Sequence, residues 1–353
     1  MSSYITINNR AIGPGHPTYI IAELSANHHQ ELSRAIDLVH LAKEAGADAI
    51  KLQTYTADTM TINSKAAPFQ IGKGTIWEGK NLYQLYQEAH TPWEWQPKLM
   101  KEAKRVGLDC FSTPFDDSSV NFLESLDVPA YKIASFELVD LPLIKRVART
   151  EKPVIMSTGM ATFGEIQEAV SAFRDAGGEN LILLKCTSAY PSRDQDMNLR
   201  TITHLKESFG VPVGLSDHSM GIAVPIAAVM LGACVIEKHI TQSRAIPGPD
   251  SAFSLECSEF KAMVDAVRSA EKAIGEVNYN FTENEAATRI FRRSLFVVKD
   301  VRKGELFTSA NVRSIRPAHG LSPKHLCSVI GKPSLTDVTA GTPLSWELIG
   351  PPC

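Results

Sequence analysis

The sequence has no excess of basic charge. It holds 36 Lys and Arg against 39 Asp and Glu, a formal net charge of −3. No positive field exists to hold a nucleic-acid backbone, so nucleic acid is not expected as a partner. No run reaches the roughly 18 consecutive apolar residues a helical membrane span needs, so no membrane partner is expected. The start, Met1-Ser2-Ser3-Tyr4, lacks a basic region followed by an apolar one; no secretory signal and a cytoplasmic location are expected. The six cysteines form no CxxC pair. Cys110, Cys186 and Cys234 lie in or beside apolar runs and read as buried reduced thiols, not as a disulfide or zinc framework. Ser25-Ala26-Asn27-His28, after the first apolar run, is not the Gly-rich turn that a doubly wound dinucleotide-binding sheet would show.

What is present is a rhythm. With 353 residues and 44% hydrophobic content, the chain suits a large α/β domain plus a smaller one. Short apolar runs centre on Ile20, Ile50, Cys110, Lys132, Ile155, Leu183, Val213 and Val235. Segments of helical spacing separate them; in Ser33 to Ala45 the apolar positions are Ala35, Leu38, Val39, Leu41 and Ala42. Eight strands alternating with helices predict an α/β fold of the (β/α)8 TIM-barrel type over residues 1–280. Residues 1–18, with a strand-like Tyr4 to Ile7 and a Gly13-Pro14-Gly15 turn, read as a hairpin plugging one end. Residues 54–92 are a long irregular insertion with Tyr55, Met60, Phe69, Trp77 and Tyr83. It is either a substrate cover or a surface excursion with a small core of its own. Residues 281–291 read as a linker or surface helix. Residues 292–353 read as a small domain of short strands with turns at Gly304, Gly320, Gly331 and Gly341.

Polar residues collect at the strand ends: Glu23, Lys51, Thr113, Lys132, Ser135, Ser157, Ser188, Ser216, His218, Glu237 and His239. Barrel sites are built at strand C-termini, so these side chains should converge. A lone His is more often structural than a ligand. His218 and His239, however, end two consecutive strands, with Glu23 and Asp250 expected nearby, and suit a divalent metal. Lys51 and Lys132 sit inside apolar strands and need a countercharge. That charge is either an anion held between them, with the hydroxyls suiting a phosphate and a carboxylate, or a barrel carboxylate for each.

Ten runs in order carry a family resemblance. They are Ile21-Ala22-Glu23, Asn27-His28, Lys51-Leu52-Gln53-Thr54, Ser112-Thr113-Pro114-Phe115 and Tyr131-Lys132-Ile133-Ala134-Ser135, then Ser157-Thr158-Gly159, Cys186-Thr187-Ser188-Ala189-Tyr190-Pro191, Gly214-Leu215-Ser216-Asp217-His218, Glu237-Lys238-His239 and Gly248-Pro249-Asp250. Together they resemble the sialic acid synthase family, which condenses phosphoenolpyruvate with an amino-sugar to give nine-carbon 2-keto-3-deoxy acids. Arg292-Arg293-Ser294-Leu295, Lys303-Gly304-Glu305 and Ile315-Arg316-Pro317 resemble its C-terminal antifreeze-like (SAF, β-clip) domain. Within the family, Ala22 to His28, Gln53 to Thr56, Thr91 to Trp95, Ala134 to Glu137 and Asp250 to Leu255 resemble one branch. Its acceptor is 2,4-diacetamido-2,4,6-trideoxy-L-altrose.

The resemblance implies roles. His218 and His239 hold Mn²⁺ or Mg²⁺. Lys51, Thr113, Lys132, Ser135, Ser157 and Ser216 bind phosphoenolpyruvate. Ser188, Tyr190, Glu237 and Asp250 line the sugar end, and Ser188 replaces the Asn common in neuraminate-forming members. Glu23 steadies positive charge or handles a water's protons, or else serves as a metal-shell or Lys51 partner. Arg316 reaches a neighbour's sugar pocket within a homodimer of swapped C-terminal domains, or else is a surface residue. The rivals are formation of N-acetylneuraminate or legionaminate, a phosphoenolpyruvate enzyme acting on a sugar phosphate, and a non-enzymatic sugar-binding protein.

Overall fold

The computed structural model describes residues 4–72 and 77–351. The Met1-Ser2-Ser3 start and Pro352-Cys353 lie outside the described residues. The chain divides into two compact units, residues 1–275 and residues 276–353.

The first unit opens with the hairpin β1 (Ile5–Ile7) and β2 (Arg10–Ile12). Its turn is Asn8-Asn9, both at positive φ, not the expected Gly13-Pro14-Gly15. Asparagine tolerates the left-handed region that a two-residue hairpin turn demands, and the glycines lie beyond β2. Then come β3 (Tyr19–Glu23), β4 (Ala49–Thr54), β5 (Asp109–Pro114), β6 (Tyr131–Ile133), β7 (Val154–Ser157), β8 (Leu181–Cys186), β9 (Val213–Asp217) and β10 (Val235–Thr241). Each is parallel to the next, and β10 pairs with both β9 and β3, closing the barrel. All eight expected strand centres fall within these strands.

Side chains alternate faces along a strand, and the two sets meet different partners. Outward residues such as Ile20, Ile50, Leu183, Leu215 and Ile236 pack against helical Leu38, Leu99, Ile144 and Phe260. Inward residues Ile21, Ala49, Phe111, Ala130, Ile155, Leu184 and Val235 form a second cluster with Ile5, Ile7 and Ile12 of the hairpin. The hairpin therefore plugs the end of the barrel where the strands begin.

The helices follow their patterns. Leu32–Glu44 buries Ala35, Leu38, Val39 and Ala42 at i, i+3, i+4 and i+7. Phe163–Asp175 starts with a Thr162–Glu165 capping box. Gln96–Val106 ends at Gly107, whose φ of 75° forms a left-handed cap. The insertion after β4 is less irregular than expected, with helices Ala57–Met60 and Leu82–Ala89. Among the described residues, no helix is long and apolar enough to cross a membrane. The second unit carries the helix Glu283–Thr288 and an antiparallel pair, Ser294–Val297 with Val312–Ile315, around Leu295, Val297, Phe307, Val312 and Leu344.

Candidate active site

The inward face of each strand changes character two residues above the apolar plug. Ile21 is followed inward by Glu23, Ala49 by Lys51 and Gln53, Phe111 by Thr113, and Ala130 by Lys132. Ile155 is followed by Ser157, Leu184 by Cys186, Gly214 by Ser216 and His218, and Val235 by Glu237 and His239. One rule, the two-residue period, thus brings the polar strand ends to one mouth.

At its centre four charges interlock. Lys51 Nζ is 2.6 Å from Glu23 Oε2 and 3.7 Å from Glu237 Oε1, while Lys132 Nζ is 3.3 Å from that same Glu237 oxygen. None of the four side chains is more than 6% exposed. Each lysine thus has a barrel carboxylate, the second of the two countercharges weighed above. Glu237 lies between the two lysines. Its cross-strand partner is Ser216, and Ser216 Oγ donates to Glu237 Oε1 at 3.3 Å. Hydroxyls ring the cluster: Lys132 Nζ donates to Ser157 Oγ at 2.8 Å and Lys51 Nζ to Thr113 Oγ1 at 3.3 Å.

Burial dominates the protonation of this cluster. It pushes the Glu23 carboxyl up to about 7, against the pull of Lys51. It lowers the Lys132 ammonium, against the pull of Glu237. Burial also opposes the charge on Lys51 and on Glu237, but their opposite neighbours outweigh it, raising Lys51 and lowering Glu237. The mouth so combines two cations, several hydroxyls and, in Glu23, a carboxyl group that burial raises to about 7. That donor set suits a phosphate or carboxylate anion beside a proton-transfer group.

Ser135 and Ser188 approach this mouth from the loops after β6 and β8. Gly159 N donates to Ser135 Oγ at 3.0 Å. A Cβ at Gly159 would stand 2.1 Å from Ser188 Oγ and 2.7 Å from Ser135 Oγ. Only glycine leaves both hydroxyls in place.

His218 and His239 lie with ring centroids 5.3 Å apart. His218 Nδ1 donates to Thr187 O at 3.1 Å, which leaves Nε2 as the lone-pair nitrogen. His239 Nδ1 is buried with no hydrogen-bond partner among the described residues. Burial, reinforced by His218, keeps His239 well below the ordinary imidazole value. Burial also opposes charge on His218, but the Cys186 thiol, with Sγ 3.9 Å from Nδ1, raises its pKa. Two available ring nitrogens fit one divalent cation as protein ligands. No group of three or more His, Cys, Asp or Glu among the described residues is placed to hold a metal.

Aromatic rings wall the imidazole side. Tyr190 lies 4.4 Å from His218 and 5.0 Å from Phe253, and Phe253 lies 4.9 Å from His239, all between centroids. Trp77 of the insertion lies 5.7 Å from Tyr190 and donates from Nε1 to Pro249 O at 2.9 Å. The insertion therefore rests against the strand-end loops. Asp250 accepts from Ser25 Oγ.

Sequence reasoning missed four residues here. Gln53 donates to Glu23 Oε1 at 2.9 Å and was detectable by counting two residues inward from Lys51. Cys186 was detectable by the same count from Leu184. Phe253 offered no signal beyond its motif. Glu137, two residues after Ser135, has Oε2 buried and unpartnered among the described residues. Burial raises its carboxyl to about 7. Arg316 belongs to the second unit, where it is exposed just after the strand Val312–Ile315.

A model described as the NeuB family matches residues 38–279, and one described as the SAF domain matches residues 292–349. Pseudaminic acid synthase of Helicobacter pylori is 48% identical over 333 residues, covering 93% of this chain and 97% of that protein. N,N'-diacetyllegionaminic acid synthase of Legionella pneumophila is 36% identical over 342 residues, covering 96% of each. Among solved structures, N-acetylneuraminic acid (sialic acid) synthetase from Leptospira borgpetersenii, in complex with citrate, superposes with a TM-score of 0.72 at 33% identity. That match covers 82% of this chain and 95% of the other. The barrel, its ordered strand-end motifs and these matches agree: the chain belongs to the NeuB family, the sialic acid synthases.

Proposed function

We propose that this chain is a pseudaminic acid synthase, condensing phosphoenolpyruvate with 2,4-diacetamido-2,4,6-trideoxy-L-altrose and water to give pseudaminic acid and phosphate. One observation carries the chemistry: two buried ammonium groups share a Glu237 oxygen, ringed by hydroxyls and set beside a pair of imidazoles. The greater identity to a pseudaminic acid synthase, 48% against 36% for a legionaminic acid synthase, supports the choice of acceptor.

In this reading Lys51 and Lys132, with Thr113, Ser135, Ser157 and Ser216, bind the phosphate and carboxylate of phosphoenolpyruvate. His218 and His239 would hold a divalent cation, Mn²⁺ or Mg²⁺, which when bound supplies Lewis-acid polarisation of a carbonyl oxygen. Ser188, Tyr190, Glu237 and Asp250 orient the open-chain sugar, with Trp77 packed against Tyr190. The C2–C3 electron pair of phosphoenolpyruvate forms the bond from C3 to the aldehyde carbon, whose oxygen takes up a proton. Glu237 and Glu23 face the positive charge that develops at C2. Glu23, poised near neutrality, accepts a proton as water adds to C2. Loss of the second proton from that oxygen forms the keto group as the C–O bond to phosphate breaks.

The homodimer with exchanged C-terminal domains, in which Arg316 serves the partner's sugar pocket, and the cytoplasmic location belong to the same proposal. Mass spectrometry of the product tests it, using phosphoenolpyruvate labelled with ¹⁸O at the bridging position. The expected result is a nine-carbon 2-keto-3-deoxy acid carrying no label, with the ¹⁸O in phosphate. Label in the acid would overturn the C–O cleavage.

A further inference from the structure

One buried charged pair lies on the face of the barrel turned away from the mouth. Lys238 Nζ is 2.5 Å from Asp217 Oδ2, and neither side chain is more than 1% exposed. Register pairs the two residues directly across β9 and β10, one step beyond the Ser216–Glu237 pair. Alternation sends Ser216, His218, Glu237 and His239 inward. It sends Asp217 and Lys238 outward, into the layer of Leu215, Ile236 and Ile240 beneath the helices.

Stability alone does not explain an ion pair there. Removing two charges from water costs more than their attraction usually returns, and an apolar pair of similar volume would serve the layer at least as well. What the pair does hold is the turn that follows His218. Asp217 Oδ1 accepts from Ser219 N at 2.8 Å, and Lys238 Nζ donates to Ser219 O at 2.6 Å. The peptide groups on both sides of Ser219 are thereby pinned. His218 O also accepts from Ser192 N at 3.0 Å. Lys238 immediately precedes His239. One ion pair therefore ties together the backbones that carry the two imidazoles.

We propose that the Asp217–Lys238 ion pair is a positioning clamp that holds His218 and His239 at the spacing one divalent cation requires. The proposal rests on the reading that these imidazoles bind such a cation. Neither Asp217 nor Lys238 points toward substrate; both act through their histidine neighbours. Partners that fix ligand imidazoles typically change metal affinity by about 10- to 100-fold when removed.

The test measures Mn²⁺ binding to the full chain by electron paramagnetic resonance of the free ion, without substrates, alongside thermal melting. The double variant D217N/K238M removes both charges together, so no lone buried charge remains. It is expected to melt within about 5 °C of the parent yet bind Mn²⁺ at least ~10-fold more weakly. A folded double variant with parental Mn²⁺ affinity overturns the clamp. If the double variant does not fold, D217E decides. It keeps the charge but displaces the carboxylate by one methylene; weaker Mn²⁺ binding supports the clamp and parental binding overturns it. H218A separates the two readings. If H218A binds Mn²⁺ as the parent does, the imidazole assignment falls and the clamp with it. If H218A loses Mn²⁺ while the folded double variant keeps it, the clamp alone falls.

Discussion

Lys51 and Glu23 face each other on adjacent strands, Nζ 2.6 Å from Oε2, with side chains 5% and 1% exposed. Burial still raises the Glu23 carboxyl to about 7. The pair is thus an acid–base group placed at the edge of a cationic pocket, and its protonation should show in the reaction. In Glu23→Gln, kcat is expected to fall by about 10²- to 10⁴-fold, the usual share of a general acid–base group. In the parent, activity should rise as pH passes upward through about 7, because Glu23 accepts a proton only when ionised. The variant should lose that limb. A pH–rate profile of both proteins checks it.

Lys132 meets Ser157 and Glu237 and should bind the anionic substrate. For Lys132→Gln, a hydrogen bond to a charged group worth about 1.5–3 kcal/mol predicts a KM for phosphoenolpyruvate raised roughly 10- to 150-fold. The KM for sugar should move far less. Steady-state kinetics with each substrate varied in turn make the comparison.

Trp77 closes the opposite end, against Tyr190 and Pro249 O. Trp77→Ala should raise the acceptor KM by about 5- to 150-fold, the worth of one aromatic contact plus one hydrogen bond. The KM for phosphoenolpyruvate should be nearly unchanged. A rise confined to phosphoenolpyruvate would place the insertion elsewhere.

Gly159→Ala sets a methyl group within 2.1 Å of Ser188 Oγ and 2.7 Å of Ser135 Oγ. Overpacking of this kind costs about 1–3 kcal/mol. The variant should fold with a lowered melting temperature and lose more than ~10-fold in kcat/KM as the two hydroxyls shift. Calorimetry and kinetics on one preparation would show both.

Glu137 predicts a pH effect on stability. Its carboxyl, at an ordinary 4.5 when unfolded, is raised by burial to about 7. The protonated group's contribution is therefore complete below about 4.5 and is lost as pH rises through about 7. Melting temperature should fall over that window, and the fall should be smaller in Glu137→Gln.

The barrel was legible in the sequence because each strand announces itself as an apolar run, and the period of two then carries Glu23, Lys51, Lys132, Ser216 and His239 to one mouth. Sequence order does not show which residues stand level across strands; the register of Glu237 with Ser216 is visible only in the fold. Gly13-Pro14-Gly15 is the stronger-looking turn signal, yet Asn8-Asn9, both at positive φ, makes the hairpin turn. Glu137, Phe253 and the packing of Trp77 belong to loops and an insertion, where no period exists to count by. Asp217 and Lys238 read as parts of the site motifs, and only alternation separates them from their inward neighbours.

The most direct test is metal-dependent phosphate release from phosphoenolpyruvate. The acceptors to compare are 2,4-diacetamido-2,4,6-trideoxy-L-altrose and N-acetylmannosamine, each with Mn²⁺ and with EDTA. Release with the altrose and Mn²⁺, abolished by EDTA and absent with N-acetylmannosamine, is the predicted result. Release with N-acetylmannosamine alone, or release unaffected by EDTA, would contradict it.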